Sequence, residues 1–79
     1  MNLHDLAIAA IKEEAFLKTD EKIFICGKLM FYKELAELVE KGQDKEIKRC
    51  ILDPYIVRLK TSTEFRIQVL AMLGMSNNK

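Results

Sequence analysis

The stretch from Lys22 to Gly42, KIFICGKLMFYKELAELVEKG, constrains this chain more than any other. It is the one segment apolar enough to be buried on several sides, so the remainder must be arranged around it. Read as a single helix from about Asp20 to Lys41, its later half is orderly. Phe31, Leu35, Leu38 and Val39 form a core stripe, and Lys33, Glu37 and Lys41 form an i,i+4 ladder toward solvent. Thr19-Asp20-Glu21 supplies the start, a cap residue followed by acids that suit the positive end of the helix dipole. The earlier half is not orderly, because Ile23, Cys26 and Met30 fall on or beside the solvent side. Either a partner meets them there, or Lys22–Cys26 is a buried strand, broken at Gly27 and followed by a shorter helix from near Lys28. Both readings end the helix at Gly42 as a C-cap glycine.

Around this stretch the capping signals predict helices. Asn2 is an N-cap for a helix from about Leu3 to Leu17. Leu3, Leu6, Ala10 and Leu17 line one side of it, and Ile8, Ile11 and Ala15 a second. A surface helix needs only one apolar stripe, so two predict a helix sandwiched within the fold or between two chains. Asp44 caps a helix over Lys45–Leu52, with Ile47, Cys50 and Ile51 inward and Lys45, Lys48 and Arg49 opposite. Asp53-Pro54 then reads as N-cap and N1 of a new helix to Lys60. Thr61-Ser62-Thr63-Glu64 fits a capping box for a last helix through Leu73, with Gly74 beyond its end and residues 75–79 frayed. The expected fold is therefore all-α, a bundle of four to five short helices in one domain spanning residues 1–79. A competing pattern exists. Glu64 to Val69 alternates polar and apolar, as do Tyr55 to Lys60, and residues 55–69 would then be a hairpin turning at Thr61-Ser62-Thr63.

The totals narrow the class. A chain of 79 residues buries only about 60% of the surface of its unfolded form, so marginal stability is expected. Its apolar content of 49% with interspersed charge excludes a disordered chain. Cys26 and Cys50 sit among Ile, Leu and Phe, and are expected as separate buried thiols in a reducing compartment. No basic leader opens the chain, and its longest uncharged run, Ile67 to Asn78, is shorter than the ~20 residues of a membrane span, so a soluble cytoplasmic protein is expected. Charge is uneven: six Lys against eight acids in residues 1–42 gives −2, and seven Lys/Arg against four acids in residues 43–79 gives +3. That imbalance is too mild to argue for nucleic acid by itself.

Little in the chain supports catalysis. His4 is the one histidine, on a first helical turn, and no CxxC, HxxxH or HExxH spacing accompanies it. Glycines at 27, 42 and 74 are too scattered to cradle a phosphate. The acidic clusters are interleaved with lysines as solvated helix faces are. The expectation is a non-enzymatic protein with no cofactor and no metal.

Two constellations suggest binding. The first is surplus apolar surface at Ile8, Ile11, Ala15, Ile23, Cys26 and Met30, which points to another protein or a second copy of this chain, with a homodimer favoured. Met72 and Met75 offer a further adaptable contact surface. The second is basic: Lys45, Lys48 and Arg49, with Arg58, Lys60 and Arg66 downstream. With a hairpin over 55–69 the element order becomes αβααββ, which resembles the winged helix-turn-helix order, an α+β alternative to the bundle. That resemblance covers about residues 3–70 and implies a DNA-binding regulator with 31–41 as the first helix of the motif and 45–52 as the recognition helix. Such motifs place a glycine four residues after the small residue matching Ala36, where this chain has Glu40.

Overall fold

The computed structural model describes residues 2–77, the last three as helix backbone. Helix dominates, and one two-stranded sheet interrupts it. The order is α1 (Leu3–Leu17), β1 (Lys22–Ile25), β2 (Lys28–Phe31), α2 (Tyr32–Lys41), a short α3 (Lys45–Ile47), a π-helical segment (Lys48–Leu52), α4 (Asp53–Thr61) and α5 (Thr63–Asn77). Among the described residues no helix is long and apolar enough to cross a membrane.

Local capping sets most of the boundaries. The Asn2 side chain accepts from the Asp5 N–H at 2.8 Å, satisfying one of the orphan donors at the start of α1. Asp44 accepts from the N–H groups of Glu46 and Ile47 at 3.0 and 3.1 Å. Gly42 closes α2 in the left-handed region (φ +68°), its N–H donating to the Leu38 carbonyl. The Ser62 hydroxyl accepts from the Phe65 N–H at 3.1 Å and so starts α5. Replacing Asp44 with Ala strands two donors and is expected to cost about 1 kcal/mol. In urea titration that lowers the unfolding midpoint by roughly 1 M for a domain of this size.

Three expectations are corrected and one alternative is excluded. Residues 22–31 form a hairpin: of the two readings of this stretch the strand holds over Lys22–Ile25, but Lys28–Phe31 is a second strand where a helix was expected to start, and Thr19-Asp20-Glu21 leads into β1 instead of capping a helix. Residues 55–69 lie in α4 and α5, the helices the bundle reading expects there, so the alternative αβααββ order does not form. Asp53 is not a cap: it has helical dihedrals (φ −62°, ψ −47°) and its N–H donates five residues back to the Lys48 carbonyl. The widened turn carries the chain past Pro54, which has no N–H to give, without ending the helix. Gly74 lies inside α5, which continues to Asn77; Asn78 and Lys79 lie outside the described residues.

The core is built around α1. Leu6, Ala7, Ala10, Ile11 and Ala15 are buried there, and the three alanines present little bulk, so α2, α4 and α5 approach it closely. This is the sandwiched helix that two apolar stripes require, enclosed within one chain. Leu35, Ala36 and Val39 from α2 complete one side, and Ile47, Leu52, Leu59 and Val69 the other. Lys33, Glu37 and Lys41 are exposed, in the phase expected of the solvent ladder.

Candidate functional site

The hairpin turns on Cys26 and Gly27, both with positive φ (+53° and +75°). A two-residue turn with both central residues in that region matches the right-handed twist of its strands. Register then fixes the faces. Lys22 pairs with Phe31, Ile23 with Met30, Phe24 with Leu29 and Ile25 with Lys28. Alternation sends Ile23, Ile25 and Met30 toward the core, and leaves Lys22, Phe24, Leu29 and Phe31 on the outer side.

That outer side is apolar and uncovered. Phe24 is 71% exposed, Leu29 62% and Phe31 43%. Phe24 and Leu29 stand directly opposite each other as a cross-strand pair, and the Lys22 ammonium lies 5.0 Å from the centre of the Phe31 ring. The sheet has only two strands among the described residues, so each strand also keeps an unpaired edge.

An open groove of about 380 Å³ runs between α1 and α2, with the nearly buried Ala15 and Ala36 at its base and Phe16 on its rim. The Lys12–Glu40 ion pair (2.8 Å) spans α1 and α2 beside it. A neighbouring depression borders Phe31 and shares Thr19, Lys33 and Glu37 with the groove, so Phe16 and Phe31 edge one continuous surface. Phe16 is 73% exposed. The rim carries both signs of charge.

The residues singled out from sequence are placed differently from one another. Ile11, Ala15 and Met30 are buried, and Ile8 and Ile23 are half-buried against the core. Cys26 and Cys50 are also half-buried, and their sulfurs are joined, with the Cα atoms 6.4 Å apart; this corrects the reading as separate buried thiols. Met72 is half-buried, and the Met75 side chain lies outside what the structure describes. Of the basic residues, Lys45, Lys48 and Arg49 are exposed, with Lys48 3.8 Å from Asp53. Arg58 stacks 3.9 Å from the Phe65 ring centre and the Arg66 guanidinium donates to the Leu59 carbonyl at 3.4 Å, so both are engaged at the α4–α5 joint. Lys60 is exposed.

Sequence reasoning missed Phe16, Phe24 and Leu29 as surface residues. The available signal was two apolar tetrapeptides, KIFI and KLMF, each opened by lysine and separated by Cys-Gly. Elsewhere, His4 is exposed on the first turn of α1, 3.6 Å from Asp5. Among the described residues no three His, Cys, Asp or Glu side chains gather to hold a metal ion. The Glu14 carboxylate, which accepts from the Lys18 ammonium at 3.1 Å, raises the lysine's pKa. Burial raises that of Tyr55, which packs edge-on against Phe65. No family model matches the chain, and no curated protein or solved structure is significantly similar to it.

Proposed function

We propose that this protein is a non-enzymatic interaction module that associates with a second copy of itself through the outer face of the β1–β2 hairpin and the adjoining Phe16 rim. One observation carries the reading: three large apolar side chains stand together on one uncovered sheet face. Single exposed apolar residues are ordinary, but contiguous ones mark interfaces. Taking about 200 Å² for a whole aromatic side chain, Phe16, Phe24, Leu29 and Phe31 expose roughly 450 Å². Two copies facing one another remove roughly 900 Å² of this, and flanking atoms bring the total near the ~1,000 Å² from which specific interfaces begin. A two-fold contact sets the same patch against itself, and a rim bearing both Lys33 and Glu37 lets unlike charges meet across it. The interface is thus assigned to the hairpin, since Ile8, Ile11, Ala15, Ile23 and Met30 serve the core of the single chain.

Sedimentation velocity over a concentration series tests this. The wild-type chain is expected to dimerise with increasing concentration, little affected by salt, and Phe24→Glu to remain monomeric with an unchanged circular dichroism spectrum. A wild-type chain monomeric into the high micromolar range overturns the self-association. The alternative, a DNA-binding regulator, keeps the exposed Lys45, Lys48 and Arg49 but not the element order from which it was drawn. Its mark would be duplex binding that falls steeply with added salt through counterion release.

A further inference from the structure

Cys26 and Cys50 lie on different elements. Cys26 occupies the turn between β1 and β2, and Cys50 lies 24 residues further on in the π-helical segment. Their Cα separation of 6.4 Å falls within the range that a disulfide spans without backbone movement, about 4.4–6.8 Å. Neither residue is sealed in the core: both are half-buried, unlike the fully buried side chains around α1.

The reduced state also has a place in this geometry. Cys26 Sγ lies 3.7 Å from the Glu46 carbonyl oxygen. A disulfide sulfur has no proton to give, whereas a thiol has one, so an acceptor already stands beside the reduced Cys26. The ion pair of Lys28 with the Glu46 carboxylate (3.8 Å) is the other contact at this end of the hairpin, and its side chains are exposed, so it fastens the hairpin weakly by itself.

We infer that Cys26 and Cys50 form a reversible thiol–disulfide site that exchanges with low-molecular-weight thiols, and that its oxidation fastens the hairpin to the helical body. In the reducing direction a small thiolate attacks one cysteine sulfur, the Cys26–Cys50 bond breaks, and a mixed disulfide forms. A second small thiolate attacks that mixed disulfide and releases the small-molecule disulfide. Two electrons pass to the protein, and two protons from the small thiols end on the cysteines. A two-stranded hairpin is marginal by itself, so this bond governs how firmly β1 and β2 are presented. Its bearing on association rests on the docking face proposed above; the exchange chemistry does not.

The test is equilibration of the purified chain in buffers of varied reduced-to-oxidised glutathione ratio, acid quenching, maleimide labelling and intact mass. The expected result is two species, unlabelled and doubly labelled, that interconvert across the series. Double labelling at every ratio, no labelling at every ratio, or a dominant singly labelled glutathione adduct each overturns the site. Limited trypsin digestion of the two forms tests the fastening: cleavage after Lys28 is expected to precede cleavage in α1 and α2 in the dithiol form and to slow several-fold in the disulfide form. Equal cleavage overturns it. Exchange that proceeds in a chain shown to be monomeric supports the site and faults only the docking reading.

Discussion

Reduction of the Cys26–Cys50 bond is expected to lower the thermal midpoint of this protein by about 15 °C. The bond closes a loop of 24 residues' separation. In the chain-entropy account, a loop of this size restricts the unfolded ensemble by about 3 kcal/mol. In a domain under 100 residues each kcal/mol moves the midpoint by roughly 4–8 °C, because the unfolding entropy scales with length. Scanning calorimetry with and without reductant measures the effect, and Cys26→Ser/Cys50→Ser supplies a chain whose midpoint must not respond to reductant. A wild-type shift below about 3 °C would mean that the bond gives the folded state no such advantage.

Leu59→Ala is expected to be the most damaging single truncation, at about 3–4 kcal/mol. Leu59 is fully buried, and its removal deletes apolar contact and leaves a void that α1 and α5 cannot close without moving. A chain of this length has a total stability of roughly 4–12 kcal/mol, so the loss is a large share of it. Leu70, on α5 and 50% exposed, provides the comparison: Leu70→Ala is expected to cost under about 0.5 kcal/mol. Urea unfolding of the two variants side by side separates them. Similar midpoints would sink the assignment of Leu59 to the centre of the core.

Capping was legible at Asn2, Gly42 and Asp44 because it is local, each acting on backbone within a few residues; the box read from Thr61 moves one residue on to Ser62, and the signals at Thr19–Glu21 and Asp53 did not start helices. The hairpin was not legible, for two reasons. Its turn places a cysteine at φ +53°, where asparagine, aspartate or glycine is the usual signal. Its strands are apolar on both sides, so the alternation that marks a half-buried strand is missing and nothing in the pattern marks Phe24 and Leu29 as surface residues. At Glu64–Val69, whose alternation is faultless, a strand competed with the helix that the capping signals favoured. There the helical period won: Val69 is buried while Ile67 is 59% exposed, as two residues that lie roughly 200° apart on a helix require. The candidate site was missed with the hairpin, since a face is defined only once register is known.

The wide turn at Lys48–Leu52 has a consequence in the currency of insertions and deletions. Ile47 and Leu52 are both buried yet five residues apart, one more than an α-helical step. Loss of a single codon between 48 and 51 would restore that step and leave Leu59 pointing inward. Loss of two would rotate everything downstream by about 100° and turn Leu59 outward. The single loss would also seat Pro54 within a regular helix, where its ring meets the carbonyl four residues back. The extra residue and the proline thus depend on each other, and a shortened form of this chain is expected to tolerate the deletion only after Pro54 has been replaced.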